Sequence, residues 1–173
     1  MTTPTNLVET TQCLCLASRR AARAITREFD RALRGHGLRS TQFTLLAALH
    51  LAGSRSIGNL ADLLGVDRTT LTRNLAVVEQ HGWVTTRVDR ADTRSRLATI
   101  TPKGRRQLVA ALPDWRRTQH ALTETIGPQA TVSLRKLAGG PCTMLDDADA
   151  RRHFTTKRRK RKKDDFATAA VAD

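Results

Sequence analysis

Arginine and threonine side chains are concentrated between residues 68 and 73, where the pattern predicts the start of a helix. The residues are Arg68, Thr69, Thr70, Thr72 and Arg73. An Arg guanidinium can bind a guanine edge through two hydrogen bonds, and a Thr hydroxyl can bond a base or contact a thymine methyl group. Both side chains can also hold phosphates. The cluster therefore indicates contact with double-stranded DNA, and the alternative is an ordinary solvated helix face.

Two predicted helices place this cluster. The first helix has apolar residues at the spacing of one helical face, namely Ile57, Leu60, Ala61 and Leu64. Gly65 ends it, Asp67 is the predicted N-cap of the second helix, and Gly82 ends that helix. The second helix turns Leu71, Leu75 and Val78 toward the core. Two helices joined by a short turn containing Gly are typical of a helix-turn-helix, whose second helix enters the major groove. The preceding helix is predicted over residues 42–51, with Ser40 or Thr41 as its cap, and Thr41 is added to the predicted DNA contacts.

A two-stranded hairpin is predicted directly after the second helix. Residues 83–89 and 97–101 are the strands, and the polar segment 90–96 joins them. Its arginines, Arg90, Arg94 and Arg96, suit a narrow minor groove, whose negative potential attracts Arg. Asp92 is interpreted as structural, because a carboxylate repels phosphate but can fix the loop. Thr101 and Pro102 are the predicted cap and first residue of the next helix.

Four segments together resemble the winged helix of MarR-type bacterial transcription regulators. They are residues 67–75, 81–84, 89–94 and 100–104, and the most specific feature is the wing pair Asp92 and Arg94 before Thr101-x-x-Gly104. The resemblance spans roughly residues 13–138. It implies a mainly α fold with a small β-wing (α+β), in which a winged helix-turn-helix is flanked by N- and C-terminal dimerisation helices. It also implies a homodimer on a pseudo-palindromic operator, acting as a repressor that a small ligand or thiol oxidation releases.

Charge and composition limit the classes of partner. The 173 residues include 30 Lys and Arg against 16 Asp and Glu, a net charge of +14. Seven of the positive charges lie in residues 157–163, and the rest of the chain still carries +7. Such a chain suits a polyanion. The competing hypothesis is a non-specific nucleic-acid-binding or chromosome-associated protein. The lack of Tyr disfavours stacking on single-stranded nucleic acid.

Other functional classes find no support in the sequence. It offers no catalytic constellation, metal site or cofactor motif, and no apolar run long enough for a membrane span. The first residues have neither a basic region nor an apolar signal core, so the expected location is the cytoplasm, at the nucleoid. Three cysteines in that setting argue against a disulfide framework.

The predicted organisation is a single regulator domain over residues 10–140. The DNA-binding part is residues 40–101, and the dimerisation helices are residues 10–34 and 102–138. Pro113 is expected to kink the second of these helices. Residues 1–9 and the charged, low-complexity stretch 141–173 are predicted to be disordered. The functional alternative for that stretch is a non-specific DNA arm.

Two kinds of signal sensor are possible. A crevice that binds a small aromatic anion is predicted, lined by Arg23, Phe43, His50 and Trp115. The alternatives are core or dimer packing for Trp115 and an ordinary, hydrogen-bonded helix residue for His50. Cys13 and Cys15 are redox candidates, because nearby arginines can lower the pKa of a thiol. This second prediction resembles the redox branch of the family. The alternative is that these cysteines are small buried hydrophobes.

Overall fold

The structure is a computed structural model, and it describes residues 12–89 and 92–138. The helices of this part are α1 (Leu14–Leu33), α2 (Ser40–Ala52), α3 (Ile57–Leu64), α4 (Arg68–Gln80), α5 (Pro102–Ile126) and α6 (Pro128–Leu137). The strands are β1 (Arg55–Ser56), β2 (Val84–Val88) and β3 (Arg96–Ile100). The predicted mainly α fold with a small β-wing is confirmed. The predictions for residues 1–9, Arg90 and residues 141–173 concern residues outside the described part.

Helices α2, α3 and α4 pack with the sheet around one apolar core. The sheet has the order β1-β3-β2 and is antiparallel, with Val84 opposite Ile100 and Arg55 opposite Ala98. The core faces predicted from helical spacing are buried at Leu60, Ala61, Leu71, Leu75 and Val78. Burial of this one face leaves the opposite face of α4 in solvent.

The start of α5 is fixed to the end of α4. The Thr101 side chain accepts a hydrogen bond from the Gly104 N–H at 3.0 Å, which confirms it as the N-cap. Thr101 also donates its backbone N–H to the Trp83 carbonyl at 2.9 Å and its hydroxyl to the Gly82 carbonyl at 2.8 Å. The winged helix and α5 are therefore joined through backbone groups.

The predicted start of α2 was wrong, and one of the hydrogen bonds at its observed start is made to a side chain of α1. Helix α2 begins at Ser40 rather than Gln42, and Arg39 is its N-cap. The Ser40 N–H donates to the Asp30 carboxylate of α1 at 2.7 Å, while the Arg39 N–H donates to the Gln42 side chain at 2.9 Å. These bonds replace the predicted caps at Ser40 or Thr41.

Other boundaries also move. Helix α1 begins at Leu14, after the extended N-cap Cys13, and the predicted start at residue 10 lies outside the described residues. Arg96 belongs to β3, where it pairs with Val88, rather than to the loop. Helix α5 continues through Pro113 as far as Ile126. No helix of the described residues is long and apolar enough to cross a membrane.

Candidate DNA interface

The N-terminus of α4 is built by Asp67. Its carboxylate accepts hydrogen bonds from the Thr70 N–H at 2.8 Å and from the Thr70 hydroxyl at 2.7 Å. The hydrogen bonds from Thr70 hold the pKa of Asp67 below its ordinary value. Thr70 therefore uses its hydroxyl proton inside the cap, and its role in this structure is to fix the first turn of α4.

The other polar side chains of α4 differ in whether they already form a hydrogen bond within the protein. The Thr72 hydroxyl donates to the Arg68 carbonyl at 2.7 Å, so it keeps only its lone pairs for a partner outside the helix. Thr69 and Arg73 are exposed, and within the described part neither side chain has a hydrogen bond or ion pair. Thr69 and Arg73 can thus donate to DNA without first breaking a bond.

Arg68 is exposed but lies against the neighbouring helix. A Cβ placed on Gly58 of α3 would approach Nη2 of Arg68 to 2.8 Å, so the guanidinium occupies the space that any larger residue would fill. Nothing in the sequence pattern marked Gly58 for this role. Its absent side chain lets the Arg68 guanidinium lie across the start of α3.

The wing loop is ordered by Asp92. Its side chain accepts a hydrogen bond from the Arg94 N–H at 3.0 Å, and its carbonyl accepts one from the Ser95 N–H at 2.8 Å. The Asp89 N–H donates to the Ser95 carbonyl at 2.9 Å and closes the loop. Asp92 therefore fixes the loop through backbone amides, in agreement with its structural interpretation. The Arg94 side chain is exposed.

A chain of hydrogen bonds joins α4 to both strands of the wing. Glu79 of α4 accepts the Thr86 N–H at 2.8 Å and the Thr86 hydroxyl at 2.6 Å, both at Oε1. Nη2 of Arg96 donates to the same Thr86 hydroxyl at 2.9 Å. Sequence reasoning gave Glu79 and Thr86 no role. The one available signal was that Glu79 is the sole acidic residue within α4.

The predicted effector residues are only partly brought together. Phe43 and Trp115 stack with ring centroids 5.7 Å apart, and Phe29, which was not among the predicted residues, also stacks on Trp115 at 6.2 Å. His50 is exposed on α2, and Arg23 is exposed on α1. Arg23 borders a shallow depression of about 550 Å³ formed by α1 residues, including Arg20 and Arg27.

A second depression lies nearer to the stacked rings. It measures about 200 Å³ and is lined by α1, α5 and α6, with Phe29 and Leu122 among its walls. The ring pair Phe43 and Trp115 thus packs against the core, as the alternative for Trp115 proposed.

Cys13 and Cys15 stand at the beginning of α1. Both are free thiols and both are exposed, so the alternative that they are small buried hydrophobes does not hold for the single chain.

Thr41, the predicted DNA contact of α2, is also exposed, in the first turn of that helix.

Comparison with known proteins places this geometry in a family. The family model of the MarR family matches residues 36–95. The transcriptional regulator MosR of M. tuberculosis, solved in complex with DNA, is 41% identical; the match covers 72% of this chain and 92% of MosR, with a TM-score of 0.66. The transcriptional repressor CouR, solved on a 23-mer DNA duplex, is 25% identical over 79% of this chain and 97% of CouR, with a TM-score of 0.67.

A third relative matches over a shorter range. The transcriptional activatory protein BadR of Rhodopseudomonas palustris is 40% identical over 78 residues, which are 43% of this chain and 45% of BadR. The chain therefore aligns with less than half the length of BadR. The match to MosR, by contrast, spans 92% of that protein at 41% identity. The winged helix of the structure and the match to the family model agree with it. The chain belongs to the MarR family of winged-helix transcriptional regulators, and it is not an enzyme.

Proposed function

We propose that this protein is a sequence-specific, homodimeric DNA-binding repressor. Helix α4 enters the major groove of a pseudo-palindromic operator, and the wing carries Arg94 into the adjacent minor groove. The observation that carries the proposal is the division of α4 into a buried face, at Leu71 and Leu75, and an exposed face with Thr69 and Arg73. That division gives the exposed face rigid support from the core while its donors stay unpaired within the described part.

The relatives support DNA as the partner. MosR and CouR were both solved on DNA, and both match this chain over most of their length. The net charge of +14 favours association with a polyanion. Charge alone would also suit the competing function, a non-specific nucleic-acid-binding protein, so the test must measure discrimination between sequences.

The decisive experiment is a footprint on the upstream region of the gene, followed by affinity measurements on the protected site and on a random duplex. Arg73→Ala should weaken operator binding by about 1–3 kcal/mol and relax specificity at one position, because one base contact is lost. Arg94→Ala should weaken binding without unfolding the protein. Arg116→Ala removes the same charge from an exposed position of α5 and is the matched control.

Two outcomes would contradict the proposal. If the folded Arg73→Ala and Arg94→Ala variants bind the operator as tightly as the wild type does, neither arginine makes the proposed DNA contact. Loss of the preference for operator over random duplex as salt rises would favour the non-specific function. Ending the chain after Pro141 should flatten the salt dependence while preserving the operator preference, since it removes the basic residues 157–163.

The homodimer is proposed from uncovered apolar surface. Residues 12–24 are all exposed in the single chain, although Leu14 and Leu16 are apolar. Helix α6 likewise exposes Val132, Leu134 and Leu137. A second copy of the chain would cover these faces, with recognition helices set for half-sites about 34–36 Å apart. A stable folded monomer at micromolar concentration in sedimentation would count against this arrangement.

The sign of regulation and the trigger need separate tests. CouR is described as a repressor and BadR as an activatory protein, so in vitro transcription from the footprinted promoter must decide the sign for this chain. For the trigger we propose a small aromatic anion near the stacked rings of Phe43 and Trp115, with Arg23 and His50 as the polar residues. A panel of aromatic carboxylates should then raise the melting temperature.

Thiol oxidation is the competing trigger. The thiols are the sensor if two results are obtained together. No carboxylate raises the melting temperature, and peroxide releases the wild-type protein from DNA while Cys13→Ser or Cys15→Ser stays bound.

A further inference from the structure

We propose that Arg96 is a positioning residue, which sets the angle of the wing through Thr86 and Glu79 so that Arg94 reaches the DNA. This inference rests on the proposed function, because it assigns Arg94 the minor-groove contact. It gives Arg96 a different task from that of Arg94, although both are exposed arginines of the wing.

The hydrogen bonds that link Glu79, Thr86 and Arg96 can run in one direction only. A Thr hydroxyl has a single proton, and Thr86 directs that proton to Oε1 of Glu79 at 2.6 Å. The hydroxyl oxygen then accepts from Nη2 of Arg96 at 2.9 Å. A negative carboxylate at one end and a positive guanidinium at the other polarise the hydroxyl between them, and hydrogen bonds to charged groups are the stronger kind.

These linked hydrogen bonds, from Glu79 through Thr86 to Arg96, connect three elements of the fold and are called the brace. Glu79 lies in the last turn of α4, Thr86 at the centre of β2, and Arg96 at the first residue of β3. Thr86 is paired with Ala98, and Arg96 with Val88, so Thr86 and Arg96 are diagonal neighbours on one face of the hairpin. Arg96 is only two residues from Arg94. The brace therefore fixes the base of the wing relative to the helix proposed to enter the major groove.

The brace also explains why Arg96 is poorly suited to a direct phosphate contact. Its guanidinium is held in place by the Thr86 hydroxyl, and the Glu79 carboxylate nearby would disfavour an approaching phosphate. Arg94 lies in the loop, and its side chain forms no hydrogen bond or ion pair within the described residues. The two arginines thus divide into one that orients the wing and one that the wing presents.

The test uses Thr86→Val, which removes the hydroxyl without changing the charge or the shape of the side chain. We expect operator affinity to fall about five- to tenfold, the effect of one hydrogen bond of ordinary net strength, because Glu79 keeps its bond to the backbone N–H of residue 86. The slope of log affinity against log salt should not change. Thr86→Ser keeps the hydroxyl and should restore affinity. Thr85→Val is the matched control, because it makes the same substitution on the opposite face of β2.

Two double-mutant cycles separate positioning from a direct contact or a general loss of stability. If Arg96 acts through Thr86, Arg96→Gln should add little to Thr86→Val. If the brace acts by presenting Arg94, Thr86→Val should have almost no effect on affinity in the Arg94→Ala background. A variant that merely loosened the fold would weaken binding in both backgrounds.

The inference would be overturned by additive effects in either cycle, or by an Arg96→Gln variant whose salt slope falls by about one unit while Thr86→Val binds normally, since that pattern marks a phosphate contact. Failure of the proposed function looks different. In that case Arg94→Ala itself would leave operator affinity unchanged, whatever the outcome at Thr86.

Discussion

Replacing Gly104 by alanine tests how closely the wing approaches α5. A Cβ built on Gly104 lies 2.1 Å from the Trp83 carbonyl oxygen and 3.0 Å from Cγ1 of Ile100. The carbonyl is backbone and is held in place, because it accepts the Thr101 N–H at 2.9 Å. The Thr-x-x-Gly motif at the start of α5 therefore has two physical parts, a capping hydroxyl and a residue without a side chain.

The size of the effect follows from these contacts. A carbon and a carbonyl oxygen normally stay about 3.3 Å apart, so the Trp83 carbonyl must retreat by about 1 Å. Overpacking of this kind costs about 1–3 kcal/mol, and the stretched hydrogen bond costs about 1 kcal/mol more. The better helix propensity of alanine returns about 1 kcal/mol. We expect Gly104→Ala to lower the free energy of unfolding by about 2 kcal/mol.

Gly58→Ala is the matched control. It makes the same substitution in helix α3, and the new methyl group meets Nη2 of Arg68 at 2.8 Å, the far end of a flexible side chain that can move aside. We expect this variant to be at least as stable as the wild type, with a gain of up to about 1 kcal/mol from helix propensity.

The assay is urea unfolding followed by tryptophan fluorescence and circular dichroism, at one fixed protein concentration. The midpoint should fall for Gly104→Ala and stay or rise for Gly58→Ala, with similar slopes. A Gly104→Ala variant as stable as Gly58→Ala would refute the argument, because it would mean that the Trp83 backbone does not press on α5.

Substitutions at three further positions test other parts of the structure. Leu108→Ala, at a buried position of α5, should lower the free energy of unfolding by about 2–5 kcal/mol in the same urea assay. Asp67→Ala should lower the melting temperature, whereas Asp67→Asn, which keeps a capping oxygen, should change it little. A hydrogen bond from His36 at 2.6 Å, together with Arg117, holds the pKa of Asp114 below its ordinary value. The stabilising effect of ionised Asp114 is therefore present above about pH 4 and is lost as pH falls through the folded-state pKa. We expect Asp114→Asn to lower the melting temperature at pH 7, and we expect the melting temperatures of variant and wild type to converge in acid.

The sequence determined the local architecture of the DNA-binding unit. Helical spacing located α3 and α4 and their buried faces, because a face that packs on a core must repeat its apolar residues with the period of the helix. Asp67 and Thr101 were identified as caps because their acceptors lie within one turn of the amides they serve. The residue types of the DNA-facing cluster could likewise be read directly.

The tertiary structure decided which of those polar groups are free. Thr70 and Thr72 spend their hydroxyl protons inside α4, Arg68 lies against Gly58, and Arg96 belongs to a strand braced by Glu79. The partner of Ser40 is Asp30 of another helix, which moved the predicted start of α2.

The physical reason is the range over which each choice is made. Periodicity and capping record interactions within a few residues, and a single sequence displays them. The bond between Thr86 and Arg96 and the contact of Trp83 with Gly104 depend on how the strands and helices are brought together by the whole core, and only the folded chain specifies that geometry.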